Sequence, residues 1–195
     1  MPSNPQITPQ AQSLLRHLRN IATQSTLFGH QDALAYGVNW KEWHEFRTDV
    51  HDVCGRHPAV FGWDLGKIGP RPSNIDLVDF RDMRFWMREV YRRGGINTVS
   101  WHANNFLGGD AWVTGTPTVA AILPGGSHHG TLLEKLDLIA DFFGKVNSGP
   151  PNYTPIPIIF RPYHEHTGDW FWWGKPHASV DEYLALWKFT YEYFT

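Results

Sequence analysis

Apolar residues recur every three or four positions over residues 8–24, where Ala11, Leu14, Leu15, Leu18 and Ile21 share one face of a helix. A short apolar run, 26–29, leads into His30-Gln31-Asp32. Residues 40–54 predict a second helix, ended by Gly55 and Pro58. Residues 59–65 (AVFGWDL) read as a strand. Residues 76–92 predict a third helix, with Asp76 at its start and Gly94-Gly95 past its end. Residues 96–102 (INTVSWH) give another strand, and the glycine-rich stretch 103–128 reads as a long loop. A helix over 131–146, a fourth strand over 156–163 and a further helix over 179–194 complete the chain.

Strand and helix therefore alternate four times, which predicts parallel strands and an α/β fold. The strand ends carry polar chemistry: His30, Asp64, His102 and Glu165. In a (β/α)8 barrel that rim is where active sites form, and a doubly wound sheet also binds ligands there. No GxGxxG and no GxxxxGK[ST] occurs, so a nucleotide-binding reading has no support. A complete barrel takes roughly 250 residues. Four β-α units fill these 195 residues. The expectation is thus the N-terminal half of a single (β/α)8 TIM-barrel catalytic domain, covering roughly its first four β-α units.

A net charge of -2 gives no reason to expect nucleic acid or an anionic membrane surface as a partner. No apolar stretch approaches the roughly 18 residues of a spanning helix, so no membrane span is expected. The single cysteine, Cys54, rules out an intramolecular disulfide and leaves the compartment open. Aromatics are abundant, with 10 Trp, 12 Phe and 7 Tyr. A large aromatic core accounts for part of them. Trp170, Trp172 and Trp173, crowded into one turn-rich segment, read better as a binding surface.

That segment, Arg161-Pro162-Tyr163-His164-Glu165-His166-Thr167-Gly168-Asp169-Trp170-Phe171-Trp172-Trp173-Gly174, follows the fourth strand. It sets one carboxylic acid between two histidines and beside flat aromatic faces. Glycoside hydrolysis needs such a carboxyl to protonate the leaving oxygen, and aromatic faces carry the apolar faces of sugar rings. Partial burial against Tyr163 and Trp170 is expected to keep Glu165 protonated. A Glu at a strand end is also, commonly, a solvated rim residue.

Four motifs in order resemble glycoside hydrolase family 26, whose members are mainly endo-β-1,4-mannanases. They are Leu27-Phe28-Gly29-His30-Gln31-Asp32, Gly62-Trp63-Asp64, Ser100-Trp101-His102 with Asn104-Asn105, and Arg161-Pro162-Tyr163-His164-Glu165 with Trp170-Phe171-Trp172-Trp173-Gly174. The first and last are specific; the middle two are weak alone. The resemblance implies that Glu165 is the general acid/base of a retaining (β/α)8 glycosidase. It implies that His164 orients and hydrogen-bonds beside it, that His102 contacts the sugar or the catalytic carboxylates, and that Trp170 stacks on the sugar at the scissile bond. The nucleophile, a second glutamate at the end of strand seven, is expected beyond residue 195. His166-Thr167 stands where Met-Asn is frequent, and the segment from Trp101 to Phe106 lacks a proline often found after the asparagine.

Further residues divide between binding and structure. His30 and Asp32 line outer subsites, or Asp32 caps the turn that follows it. Asp64 hydrogen-bonds a loop or Arg161, and Arg161 braces Glu165 or the barrel floor. Trp172 and Trp173 are shared between subsite and packing, and Trp101 packs beside the site. The implied substrate is β-mannan polysaccharide or manno-oligosaccharides, with no metal or organic cofactor. The implied partner is the C-terminal half of the same enzyme. A polymer cannot cross a membrane, so export is expected, with a secreted, periplasmic or cell-surface location and a signal peptide removed. Two other classes stay in view. A non-catalytic glycan-binding fragment would use the tryptophans without cleavage, and a family relative could act on another β-glycan. A metal-dependent hydrolase using His30, His102, His164 and His166 is disfavoured, because these histidines are scattered singly and no HxH opens strand one.

Overall fold

A computed structural model describes residues 4, 6–41 and 46–195. The elements in chain order are α1 (Pro9–Ile21), β1 (Gly29–Gln31), α2 (Asp49–Cys54), β2 (Val60–Asp64), α3 (Phe80–Arg92), β3 (Ile96–Trp101), α4 (Thr118–Ile122), α5 (His129–Gly144), β4 (Ile158–Pro162) and α6 (Val180–Tyr193). The strands form one sheet in the order β1-β2-β3-β4. β1 pairs with β2 in parallel, Gly29 opposite Val60 and Gln31 opposite Gly62. Between β2 and β3 the bonds climb in the same sense on both strands: Ile96 N–H donates to Ala59 and Leu65 N–H to Ser100. The α/β expectation holds. The middle strands β2 and β3 are buried almost throughout, whereas β1 is exposed and β4 mostly half-buried. That gradient follows from the order, since among the described strands β1 and β4 each have a neighbour on one side only.

The chain divides into two compact units, and the division cuts β2, β3 and β4 near their C-terminal ends. The first unit holds α1, β1, α2, α3 and the leading residues of the other strands. Its core forms around Trp63, whose ring stacks on Trp86 of α3 at 6.2 Å between centroids. Trp63 Nε1 donates to Asn97 Oδ1 at 2.9 Å, and Asn97 Nδ2 donates to the Met87 carbonyl at 2.9 Å, so the buried polar atoms are matched. Met83, Trp86, Met87 and Val90 of α3 recur at helical spacing and are buried.

The second unit holds the strand ends and the loops and helices that follow them. Its core is aromatic: Trp101, Tyr163, Phe171, Trp172 and Trp173 are all buried, with Leu132, Leu136 and Ile139 of α5 and Leu186 of α6. α6 opens on a capping box in which Ser179 and Glu182 satisfy each other's backbone amides.

Three departures from the expected element boundaries are the largest. α3 begins at Phe80, because the Asp79 carboxylate, and not that of Asp76, accepts from the Arg81 and Asp82 amides. The stretch 103–128 is not all loop: Thr118, Val119 and Ile122 of α4 are buried. Pro117, with no side-chain cap, hid that start. The helix expected over 40–54 is α2 alone among the described residues; positions 42–45 of that expectation lie outside them.

Candidate active site

The end of β2 places Asp64 in the second unit, 1 % exposed. Three donors converge on it. Gly66 N–H reaches Oδ1 at 2.6 Å, Ser100 Oγ reaches Oδ2 at 2.7 Å, and His102 Nδ1 reaches Oδ2 at 2.8 Å. Burial opposes charge on this carboxyl, but the hydrogen bond and charge of His102, with the bonds from Ser100 and Gly66, outweigh it and hold the group below the usual carboxylate range. Asp64 thus binds a loop, as expected; its partner at the strand end is His102, not Arg161, which is exposed. The Gly66 position has no room for a side chain, since a Cβ there would sit 2.7 Å from Asp64 Oδ1.

Beyond Asp64, His102 follows β3. Its ring stacks on Trp112 at 5.3 Å and 14°, and meets the rings of Phe171 at 5.3 Å and His164 at 4.6 Å edge-on. Trp112 is 48 % exposed. It belongs to the loop after β3, which Asn105 organises. Asn105 Nδ2 donates to the Val113 carbonyl at 2.7 Å and to Thr116 Oγ1 at 2.9 Å, while its Oδ1 accepts from Leu107 N–H and Thr118 Oγ1, both at 2.8 Å. Sequence reasoning missed Trp112. Its signal is faint: one tryptophan in a glycine-rich stretch, with its binding partner ten residues upstream.

The end of β4 turns sharply. Tyr163 and Glu165 both have positive φ, 51° and 56°. Residues other than glycine are costly there, on the order of 1–3 kcal/mol each. The surrounding structure holds the turn through its carbonyls. Tyr183 Oη donates to the Tyr163 carbonyl at 2.8 Å, Trp173 Nε1 to that of His164 at 2.8 Å, and Gly168 N–H to that of Glu165 at 3.0 Å. The Glu165 carboxylate is exposed, and Trp170 Nε1 donates to its Oε2 at 3.0 Å. Trp170 is 47 % exposed and lies over Gly168, where a Cβ would meet its ring at 2.4 Å. His164 lies between these parts. Burial first, then the charge of His102, lowers its pKa below the usual imidazole value, against Asp64 and Glu165, which act to raise it. Its Nδ1 is buried with no hydrogen-bond partner.

Five of the expected residues therefore gather in one unit: Asp64, His102, His164, Glu165 and Trp170. Others are taken up by structure. Trp101 and Trp173 are 2 % and 1 % exposed and offer no face to a ligand. Each is consumed by packing: Trp101 against Tyr163, and Trp173 stacked on Phe171 at 4.4 Å. Nor does the tryptophan cluster form a surface, since Phe171, Trp172 and Trp173 are buried and only Trp170 is exposed. The expected partial burial of Glu165 is not found, because Tyr163 turns inward while Glu165 turns out. His30 and Asp32 lie in the first unit. His30 is exposed on β1, but Asp32 is fully buried and cannot line a subsite. It closes a turn: its amide donates to Gly62, its carbonyl accepts from Ala35 N–H, and its charge, after burial, pushes the Tyr36 hydroxyl up to about 12.

No three of the described His, Cys, Asp and Glu residues group so as to hold a metal ion. No described helix is long and apolar enough to cross a membrane.

The family model for glycosyl hydrolase family 26 matches residues 3–195. The chain belongs to that family. Among solved structures it is similar to a family 26 β-mannanase from Bacteroides ovatus, with 40% identity and a TM-score of 0.91 over 96% of this chain and 55% of that one. It is also similar to a modular endo-β-1,4-mannanase from Cellulomonas fimi, with 39% identity and a TM-score of 0.85 over 96% of this chain and 42% of that one. A mannan endo-1,4-β-mannosidase of Bifidobacterium adolescentis is 33% identical over 191 residues, which is 95% of this chain and 19% of that protein. The family 26 chain thus spans about half or less of each of these relatives.

Proposed function

We propose that this family 26 chain is part of the catalytic domain of a retaining endo-β-1,4-mannanase. It would contribute the first four β-α units of a (β/α)8 barrel and the general acid/base Glu165. The substrate is a β-mannan, cleaved at internal mannosidic bonds. The observation that carries the reading is the Glu165 carboxylate, presented outward at the end of β4 with Trp170 Nε1 at 3.0 Å and His164 beside it. The names of the similar proteins support the substrate class.

In this reading Glu165 gives its proton to the leaving oxygen, then takes one from water when the glycosyl intermediate is cleared. Retention needs a second carboxylate about 5–5.5 Å away as nucleophile. The reading assigns it beyond residue 195, in keeping with a chain that covers 55% of the Bacteroides ovatus structure. A bound sugar ring and that second carboxylate supply the desolvation and like charge that keep a catalytic acid protonated near neutral pH. Trp170 and Trp112 provide the exposed flat faces that sugar rings stack on. Action on a polymer carries export to the periplasm, cell surface or medium, which fractionation of a culture checks.

Glu165→Gln in the full-length protein tests the assignment. Turnover of manno-oligosaccharides is expected to fall about 10²–10⁴-fold, with oligosaccharide affinity little changed. A kcat near that of the wild type sinks Glu165 as the acid. Binding without turnover in the wild-type protein points instead to a glycan-binding role.

A further inference from the structure

Asp64 is too buried to touch a substrate, yet its three hydrogen bonds converge on one carboxylate next to the rim histidines. An ionised carboxylate only accepts. His102 Nδ1, 2.8 Å from Oδ2, must therefore be the donor and carry the proton. The neighbouring ring is under the opposite constraint. His164 Nδ1 is buried and finds no acceptor. A proton there would be an orphaned N–H, which folded proteins avoid more strictly than an unused lone pair. Neutral His164 therefore carries its proton on Nε2. The two rings meet edge to face at 4.6 Å, so a charge on one opposes a charge on the other.

We propose that Asp64 is a positioning residue that sets His102 as the Nδ1–H tautomer, opposite to the Nε2–H tautomer of His164, so that the adjacent imidazoles present unlike groups at the site and His102 is the one that takes a proton first. The proposal deepens the glycosidase reading and rests on it for its use. A neutral His102 would meet a sugar hydroxyl through Nε2 as an acceptor, and His164 would meet one as a donor. A hydroxyl gives one hydrogen bond and takes others, so unlike neighbours suit a polyol better than two identical rings. Carboxylate support of a working histidine is a general device for fixing tautomer and ring angle. The charged and titratable groups facing the pair include Asp64 on His102, and Asp64, Glu165 and Arg161 on His164, besides each other. Ser100 Oγ, 2.7 Å from the same Asp64 oxygen, fixes the carboxylate without adding charge.

The test is a ¹⁵N-detected histidine titration of the full-length protein without substrate. His102→Gln and His164→Gln spectra assign the two rings. In the wild type, neutral His102 is expected to show the Nδ1–H pattern and neutral His164 the Nε2–H pattern. His102 should protonate at the higher pH of the two. In Asp64→Asn the His102 midpoint should fall by about one unit or more, as expected for loss of an opposite charge within 4–6 Å. Ser100→Ala should move it much less. An Nε2–H pattern on wild-type His102, or an unmoved midpoint in Asp64→Asn, overturns the proposal. The wild-type pattern alone decides it should Asp64→Asn fail to fold. Hydrolysis is not read, so failure here is distinct from failure of the mannanase assignment.

Discussion

The ends of β2 and β4 each carry a carboxylate, and the two are treated in opposite ways. Asp64 is buried and saturated by three donors. Glu165 is exposed, on a turn with positive φ, and its carboxylate accepts from Trp170 Nε1. Asp64 sits on the strand itself, where the ladder bond from Leu65 N–H to Ser100 brings β3 alongside. Glu165 lies three residues past the last residue of β4, where the backbone can turn a side chain out. Structure is built around the first, and the second is built outward by structure. A carboxylate enclosed by donors resists protonation, which suits a fixed charge. A carboxylate that must lose and regain a proton is better left reachable.

Stability should separate the two most widely. Asp64→Ala takes away the acceptor shared by His102 Nδ1–H, Ser100 Oγ and the Gly66 amide. Leaving a buried donor unsatisfied costs about 1–3 kcal/mol. Glu165→Ala, on an exposed turn, should stay within about 0.5 kcal/mol of the wild type. Urea unfolding of both variants is the check. Equal losses would mean that Glu165 is a structural anchor and would undo the contrast.

Acid should separate them next, and in two stages. His164 is held below the usual imidazole value by burial and by His102. Below about pH 6.5 the unfolded chain takes up a proton that the folded chain refuses. Stability therefore falls with pH from there down to the lowered value. His57, lowered by burial and by His51, acts with the same sign in the other unit. Asp64 is also lowered, so its contribution is fully present above the unfolded carboxylate value of about 3.9 and is lost only as pH falls through its own lower value. Melting temperature against pH should show a shallow decline starting near pH 6.5 and a steeper one below about pH 4. His164→Gln should flatten part of the first and spare the second. An unchanged upper limb in His164→Gln would show that the buried ring is not what titrates.

How far the sequence could foresee this contrast depends on the kind of signal. The alternation of strands and helices was legible because periods of two and of 3.6 are written in neighbouring residues, and the parallel sheet follows from it. The strand ends could be read for the same reason, so Asp64, His102 and Glu165 were all named. Burial beyond the strand end was not legible. Trp170, Trp172 and Trp173 have the same composition around them, yet the turn at Tyr163 and Glu165 sends two inward and one outward. No residue pattern marks a positive φ at a tyrosine or a glutamate. Trp112 was missed because it reaches its place through Asn105, whose hydrogen bonds span positions 107–118 and obey no period. Asp32 could be read either as a subsite residue or as the cap of the turn after it, because a strand-end carboxylate looks alike whether it faces solvent or closes a turn.

The smallest effect is the most pointed test of the exposed end. Trp170→Phe keeps a flat apolar face over Gly168 but removes the Nε1 donor to Glu165 Oε2. The bond is exposed, so folding stability should change by less than about 1 kcal/mol. In the full-length protein kcat should fall as Glu165 loses the bond that orients it, with affinity for oligosaccharide nearly kept by the ring. Trp170→Ala removes both functions and should weaken binding as well. If Trp170→Phe leaves kcat unchanged, the tryptophan serves Glu165 only as a neighbour, and its flat face is all that it gives the exposed end.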